Sequence, residues 1–559
     1  MTFLLLGLIA GVLGALPAAV ARRLVLAGTL AVVYSLGCAS WFYTAPPSLA
    51  SPFWGGVGVV VVVLWFVSAL LVSSLFGKTR KLSPTLLFGV MGILLMIVRA
   101  AMGWTGFKAA AYASLIGPIH EAEWTDGTQP KDPKHKRLVP LELAKWMADK
   151  QLGEAPGAIG SQFHVDKDRM TIQLVHDELW YVAPLDFSSY AVWSSVARTP
   201  GYVMVSGEDP NRPPKVVTGL SFRYMPGAYF SDELGRYLFT HGYASYDLED
   251  YTFEIDEGAR AWWVITLTRP SIAFWGDRVV GVVLVDPQTG ETQFEPMGHV
   301  PDWVDRVMPS NLVAEYVDAH GTLDGGYLNS VWARHNLTTG ETPSFIHGSD
   351  GQPYWVSEIT STGLHDLSLL GLLYTNARTG AVTLYKAKGA LDKGVLNAVD
   401  GKVAYRKWHG DSPVIYNLYG TMGSIVPLLS DGSNVFQGVA IVDIVKPNEV
   451  AVGEDFDSAL REYQKLLGQT GNSAVPELTK VTKTVEGTVE RFAALVSQQG
   501  TTYEVLIEGS RVIYTGGASL SPKLPLVKVG DKVRVTYIDS PETVVPMQTF
   551  DDVTLPLGH

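Results

Sequence analysis

The sequence predicts an α-helical membrane anchor of four transmembrane helices, a large β-rich α+β extracytoplasmic region and a C-terminal small β-barrel. Three observations lead there. The first 105 residues contain no Asp or Glu and only six basic residues, Arg22, Arg23, Lys78, Arg80, Lys81 and Arg99. Removing those six from the 43 basic residues of the chain leaves 37 against 55 acidic ones, so an acidic soluble region follows an apolar one. From about residue 160 to about 450, short apolar runs rich in aromatic and β-branched residues alternate with turn residues, the texture of a β protein.

Four apolar stretches come first, near 2–20, 24–43, 52–76 and 84–106. Each is long enough to cross a hydrocarbon core of roughly 30 Å. The first has no basic segment ahead of it, which favours a retained helix over a cleaved signal peptide. Arg22 and Arg23 separate the first two stretches, and Lys78, Arg80 and Lys81 the last two, whereas the 44–51 loop TAPPSLAS is uncharged. The positive-inside rule then puts both basic loops in the cytoplasm of a bacterial cell and everything after the fourth helix outside its inner membrane, together with the N-terminus. The basic run PKDPKHKR at 130–137 pulls the other way, but it lies beyond the span where the rule weakens. Arg99 sits inside the fourth stretch, and no acidic residue in any span can pair with it. It either snorkels to the interface or makes a polar contact within the bundle or with a partner subunit.

Beyond the anchor, Gly103 to Pro118 reads as an interfacial helix within a 107–140 linker. Leu141 to Leu152 reads as an amphipathic helix burying Leu143, Trp146 and Met147, and it opens a β-rich domain over 141–473. Inside that domain, 231–243 is a helical interruption, and VPDWVDRVMP at 300–309 reads as a short helical turn with Trp303 and Val307 on one face. EDFDSALREYQKLLG at 454–468 is the clearest helix, with acids at its start and Gly468 at its end. After a second linker near 474–478, residues 479–559 carry four strand candidates. One of these, 532–537, alternates Val533, Val535 and Tyr537 with polar residues. A small closed barrel of the OB or SH3-like kind is expected there.

The stretch WWVITLTRPSIAFWGDRVVGVVLVDPQTG at 262–290 reads as two strands closed by a turn, and weaker versions occur at 179–213 and 354–380. The strand–strand–turn unit ending in VDPQTGE resembles the small PepSY-type module of bacterial envelope proteins. That resemblance implies about three such repeats and a role in binding or inhibiting proteins outside the cytoplasmic membrane. WYVAPL, TPGYVMVS, FEIDEGARAWWV, VDPQTG and VPDWVDRVMP together resemble a family of multi-spanning bacterial membrane proteins, which brings no established activity with it.

Motifs for known chemistry are absent from the sequence: no GxSxG, no HExxH, no Walker loop, no GxGxxG opening a helix after a strand. The single cysteine, Cys38, excludes an internal disulfide and a CxxC site. No catalytic residue, metal ligand or cofactor is assigned. His164, His176, His335 and His347 read as solvated or hydrogen-bonded residues, and DAHGTLD at 318–324 as an acidic loop without the EF-hand order of calcium ligands. Trp262, Trp263, Trp303 and Trp355 fall at or just after equivalent places in the repeats and are the candidate partner-binding residues. The acidic soluble region argues against nucleic acid. The expected partners are the lipid bilayer and proteins, or further copies of this chain. The expected role is an extracytoplasmic scaffold or protein-binding subunit of an envelope assembly. An envelope hydrolase acting on cell wall or glycan is the first alternative, and a subunit of an oligomeric transport or channel complex the second.

Overall fold

The computed structural model describes residues 2–50, 56–76, 84–124, 135–154, 159–348, 350–363, 368–469, 482–497, 500–517, 520–538 and 543–555. The chain divides into two compact units, one of residues 1–394 with 433–436 and one of residues 395–432 with 437–559.

The first unit begins with apolar helices Thr2–Gly14, Leu16–Val20, Leu24–Thr44, Gly56–Phe76 and Pro84–Met102. Three stretches, Thr2–Val20, Leu24–Thr44 and Val90–Ile116, are long and apolar enough to cross a membrane; Gly56–Val72 is a shorter apolar helix. Small residues let the first two spans touch. A Cβ on Gly7 or Gly11 would run into the backbone of Ala39 or Ser35, which is how helices approach closely where lipid gives them no hydrophobic push. Pro17 lacks the N–H that would bond the carbonyl of Leu13. Trp65 Nε1 donates to that carbonyl at 2.8 Å instead, and Ser68 Oγ donates to the Gly14 carbonyl at 2.9 Å. Backbone acceptors freed inside an apolar bundle are thereby satisfied, as a lipid environment requires.

Three antiparallel sheets complete this unit. In the first, Phe163–Val165 and Thr171–Val175 both pair with Glu178–Phe187, which continues to Tyr202–Ser206 and Lys215–Val217. The second runs Thr292–Pro296, Trp275–Val285, Ala261–Ile272, Asp247–Ile255. In the third, Thr338–Gly340 and Ser344–His347 both pair with Pro353–Ser361, followed by Ser368–Asn376 and Val382–Ala390. Its outer edge is covered by a parallel strand, Ile119–Ala122. That strand lies in a stretch read from sequence as linker; four residues are too few to carry a strand period.

The three stretches singled out in the sequence fall on central strand pairs of these three sheets, the second and third as hairpins and the first as a pair joined through helix Tyr190–Val196. In the second and third sheets the turns that follow these hairpins share a mechanism. Asp286 Oδ1 accepts from the amides of Gln288 and Thr289, and Gly290 follows at φ +77°. Asn376 Oδ1 accepts in the same way from Arg378 and Thr379, and Gly380 follows at φ +73°. The short carboxylate or amide stands in for a backbone turn, and glycine adopts the left-handed residue without strain.

Several sequence expectations change. The 300–309 segment turns only at its start, where the Val304 amide donates to the Pro301 carbonyl at 3.1 Å; beyond it, Val307 and Met308 donate their amides to the Ala377 carbonyl, and Thr266 and Trp355 bond the carbonyls of Val307 and Met308. Residues 318–323 belong to a helix, Ser310–Leu323, so DAHGTLD is not a calcium loop; Asp318 accepts from Thr339 and Gly340. The helix Leu141–Glu154 buries Leu143, Ala144, Ala148 and Leu152, and leaves Trp146 exposed.

The second unit holds a fourth antiparallel sheet. Trp408–Gly410 and Val414–Leu418 pair with Thr421–Ser430, which continues to Phe436–Asp443 and Val450–Gly453. Helix Phe456–Gln469 buries Phe456 and Tyr463. Five strands then close a barrel in the order Thr482–Ser497, Gly500–Ile507, Ile513–Gly517, Val544–Asp552, Lys532–Ile538. Val489, Val505, Tyr514, Val533 and Val535 fill it.

The β part of the first unit is docked on the helices. Arg99 stands over the Trp275 ring at 4.8 Å, with Phe274 beside it, and the same ring lies flat on Gly103. A Cβ at Gly103 would fall inside the indole. We therefore expect Gly103→Val to destabilise the detergent-solubilised protein by about 1–3 kcal/mol, the usual effect of overpacking. In a double-mutant cycle by thermal unfolding, Trp275→Ala should absorb most of that loss; additive effects would show that the two residues are not in contact.

Candidate functional site

A group of buried ionisable side chains lies where the three sheets of the first unit meet. Asp305 belongs to the 300–309 segment, which is pinned by Val304 and Val307 in the core. Its Oδ2 accepts from the amide of Leu174 in the first sheet at 3.1 Å and lies 3.0 Å from Nε2 of His347 in the third. Its own amide donates to Oε2 of Glu254, in the second sheet, at 2.8 Å. The other oxygen of Glu254 accepts from Thr252 Oγ1 at 2.9 Å. Gln173 adds a two-way bond to the backbone of Ile255. Arg306 stacks its guanidinium over Phe345 at 4.6 Å and Trp355 at 5.1 Å.

Glu254, Asp305 and His347 are all buried. Burial pushes the Glu254 carboxyl well above the ordinary glutamate value, and the neighbouring Asp305 adds to it; the Asp305 amide, Thr252 and Arg306 offset part of the shift. A raised carboxyl beside a second acid and a histidine is the kind of arrangement that can hold and pass a proton. Here it is enclosed by protein.

Two further acidic groups stand apart. Glu358 accepts from the Asp392 amide with both oxygens, at 3.2 and 2.9 Å, and the two side chains share a hydrogen bond. Burial, then Asp392, raises Glu358. Asp277 is pushed up to about 6 by burial and by Asp247, Glu249 and Glu315. Among the described residues no group of three or more His, Cys, Asp or Glu has metal-holding geometry.

Two clefts open on the first unit. One, of about 190 Å³, is bordered by Leu115, Arg278, Met308, Tyr316 and Thr379. The larger, of about 580 Å³, lies between helix Ser310–Leu323 and the third sheet. Its walls are mostly aliphatic, including Val317, Ile359, Leu373 and Leu384, with His320 and Lys386 among its few polar groups. No carboxylate lines either cleft.

The sequence-predicted residues separate. Trp263 is fully buried and donates to the Tyr224 carbonyl; Trp355 is buried and donates to the Met308 carbonyl. Both are core residues. Trp262 and Trp303 are half-buried and stack on each other, 6.1 Å between ring centres, with Arg260 over Trp262 at 4.2 Å. Of the four, this pair alone reaches solvent. Arg99 meets the aromatic hairpin tip described above. His347 had been singled out only as a hydrogen-bonded histidine, and neither Glu254 nor Asp305 had a local signal, because 51 and 42 residues separate the bonded partners.

No protein-family model matches the chain, and no curated protein matches it. Among solved structures, the chain is similar to an endo-arabinase from Bacteroides thetaiotaomicron VPI-5482 at 11% identity and a TM-score of 0.16, covering 62% of this chain and 92% of that one. It is similar to a xylan β-1,4-xylosidase from Bacillus halodurans C-125 at 11% identity and a TM-score of 0.18, covering 71% and 58%. A thermostable family-43 glycoside hydrolase gives 9% identity and a TM-score of 0.17, covering 69% and 95%. Likeness at this level assigns neither a fold nor an activity.

The junction makes two predictions. Asp305→Ala strands the Leu174 amide and the His347 ring at once, and should destabilise the protein by on the order of 3 kcal/mol in denaturant unfolding. Glu254 is raised only in the folded state. The stability its proton contributes is full below the unfolded value of 4.5 and is lost as pH rises toward the folded value. Glu254→Gln, neutral throughout, should therefore lose less stability than the wild type between about pH 5 and about pH 8; equal slopes would show that Glu254 is not protonated in the fold.

Proposed function

We propose that this chain is a membrane-anchored extracytoplasmic scaffold, a protein-binding subunit of a bacterial envelope assembly. The observation that carries the reading is the direct docking of the β part of the first unit on its helices. Besides Arg99 and Trp275, Phe239 stacks on Phe3 at 5.1 Å and joins a cluster with Phe42 and Val57. Leu49 donates its amide to the Ala244 carbonyl at 2.8 Å. A part held this firmly keeps a fixed orientation to the bilayer, which suits a platform for other proteins.

These contacts gather at one end of the helices, where residues 3, 42, 57 and 99–103 lie, and Arg22 and Arg23 lie at the other end of their helices. With the basic end kept in the cytoplasm, the sheets face outward. This supports four crossings, with the N-terminus and the sheets on the same side. In the second unit, the strand order of the barrel and its parallel Ile513–Gly517 and Val544–Asp552 pair support an OB-type module. Its cations Lys532 and Arg534 are paired with Glu486, which does not suit a nucleic-acid groove.

A hydrolase would need a carboxylate pair facing a cleft. The most strongly raised carboxyls, Glu254 and Glu358, instead bond inward, and the aliphatic cleft beneath helix Ser310–Leu323 suits an apolar side chain of a partner better than a sugar.

Full-length protein extracted in mild detergent is expected to run as a defined oligomer or with a stoichiometric protein partner in native mass measurements. Leu370 is an exposed wall residue of the cleft, and Leu370→Glu should release the partner without lowering the thermal midpoint. A lone monomer that cleaves cell-wall fragments would sink this reading in favour of the hydrolase.

A further inference from the structure

Near the end of the last span, the first unit exposes an apolar cluster. Leu328 is 62% exposed, Val331 47% and Trp332 76%. They project from a short turn, Asn329–Ala333, that follows helix Ser310–Leu323. The turn is rigid. Asn329 clamps it from both ends of its amide, accepting from the His335 amide and donating to the His335 carbonyl, each at 3.0 Å. Arg334 closes it by donating its amide to the Asn329 carbonyl at 2.7 Å. The apolar side chains are therefore held outward by design of the backbone, not left loose on a flexible loop.

The cluster continues a surface that already belongs to the membrane anchor. Tyr327, at the head of the turn, packs edge-on against Trp104, 5.4 Å between ring centres, and Trp104 packs against Phe107 at 4.9 Å. Trp104 and Phe107 lie in the apolar stretch Val90–Ile116 and are themselves 47% and 72% exposed. The helix breaks between Met102 and Thr105, so the second piece, Thr105–Ala113, runs in a new direction under helix Ser310–Leu323 with Ala109 and Ala113 buried. Exposed Lys108 and Arg334 flank the apolar side chains, with Asp324 the nearest exposed acid in sequence. Tryptophan among aliphatic residues, edged by cations, is the composition that settles at the headgroup boundary of a bilayer. A second exposed pair, Tyr190 and Phe230, repeats the pattern near another span end, where Arg236 donates to the Phe230 carbonyl and stands over Tyr43.

We propose that Leu328, Val331 and Trp332 insert into the outer-leaflet interface beside Trp104 and Phe107, giving the β part of the first unit a lipid contact of its own. The partner is the lipid surface, and the site rests on the apolar helices crossing the membrane rather than on the scaffold reading.

The test places an environment-sensitive fluorophore on Val331→Cys in full-length protein whose Cys38 is replaced by Ala. The protein is reconstituted into phosphatidylcholine–phosphatidylglycerol vesicles with and without lipids carrying a quencher at a shallow acyl position. Exposed Asn211→Cys serves as the control site. The expected result is a blue-shifted emission at position 331 that the lipid-borne quencher suppresses, with position 211 unaffected. Circular dichroism and melting of the labelled proteins establish that they are folded. Quenching at 331 no greater than at 211 overturns the proposal, whether water or another protein then covers the cluster.

Discussion

One residue joins the three sheets of the first unit. Asp305 takes an amide from the first, faces the histidine of the third and gives its own amide to the glutamate of the second. In a low-dielectric interior such bonds are strong only when every member is satisfied, and a partly satisfied network is worse than an apolar core. That constraint explains the surroundings. The 300–309 segment does not go on into a helix after its first turn, because the amides and carbonyls of Val307 and Met308 are taken by the flanking sheets. Glu254 meets its neighbours most cheaply as a neutral acid, since two carboxylates sealed together would repel.

The helices obey the same rule in a different solvent. Pro17 frees a carbonyl in the first span, and Trp65 comes from a third helix to bond it. Glycines carry the close approach of the first two helices, and Gly103 makes room for the one indole that links helix to sheet. The two freed carbonyls of the first span are both matched, and close contacts fall where side chains are smallest.

Much of this was legible in sequence. A stretch of 105 residues without an acid announces the anchor, and DPQTG and NARTG announce turns because an Asx side chain two residues before the next amides is a local mechanism. The last hairpin of the fourth sheet is hard to read from sequence because its closing turn at Asp443, DIVKPNE, has no glycine, although Asp443 still accepts the Val445 amide. Helix Ser310–Leu323 was hidden by His320 and Gly321, which read as loop residues but pack beside Thr338. The fifth barrel strand carries Pro546 and did not read as a strand. The junction itself had no local signature: its members are ordinary residues on separate sheets, and only folding brings them together. For the same reason two of the four tryptophans that looked like a binding surface proved to be core, since an aromatic at a strand start is equally suited to either.

The distribution of chemistry bears on function. In a hydrolase the polar and titratable groups converge on an open cleft, and the apolar surface is hidden. Here Glu254 and Glu358 point inward and the larger cleft described is mostly aliphatic, while tryptophan, leucine and valine stand exposed where the helices meet the sheets. Exposed apolar surface persists when something else covers it, and buried acids persist when they fix one arrangement of the elements around them. On the reading proposed above, buried acids that fix three sheets and aromatics left exposed beside the apolar helices serve a platform, whose recognition falls to surfaces.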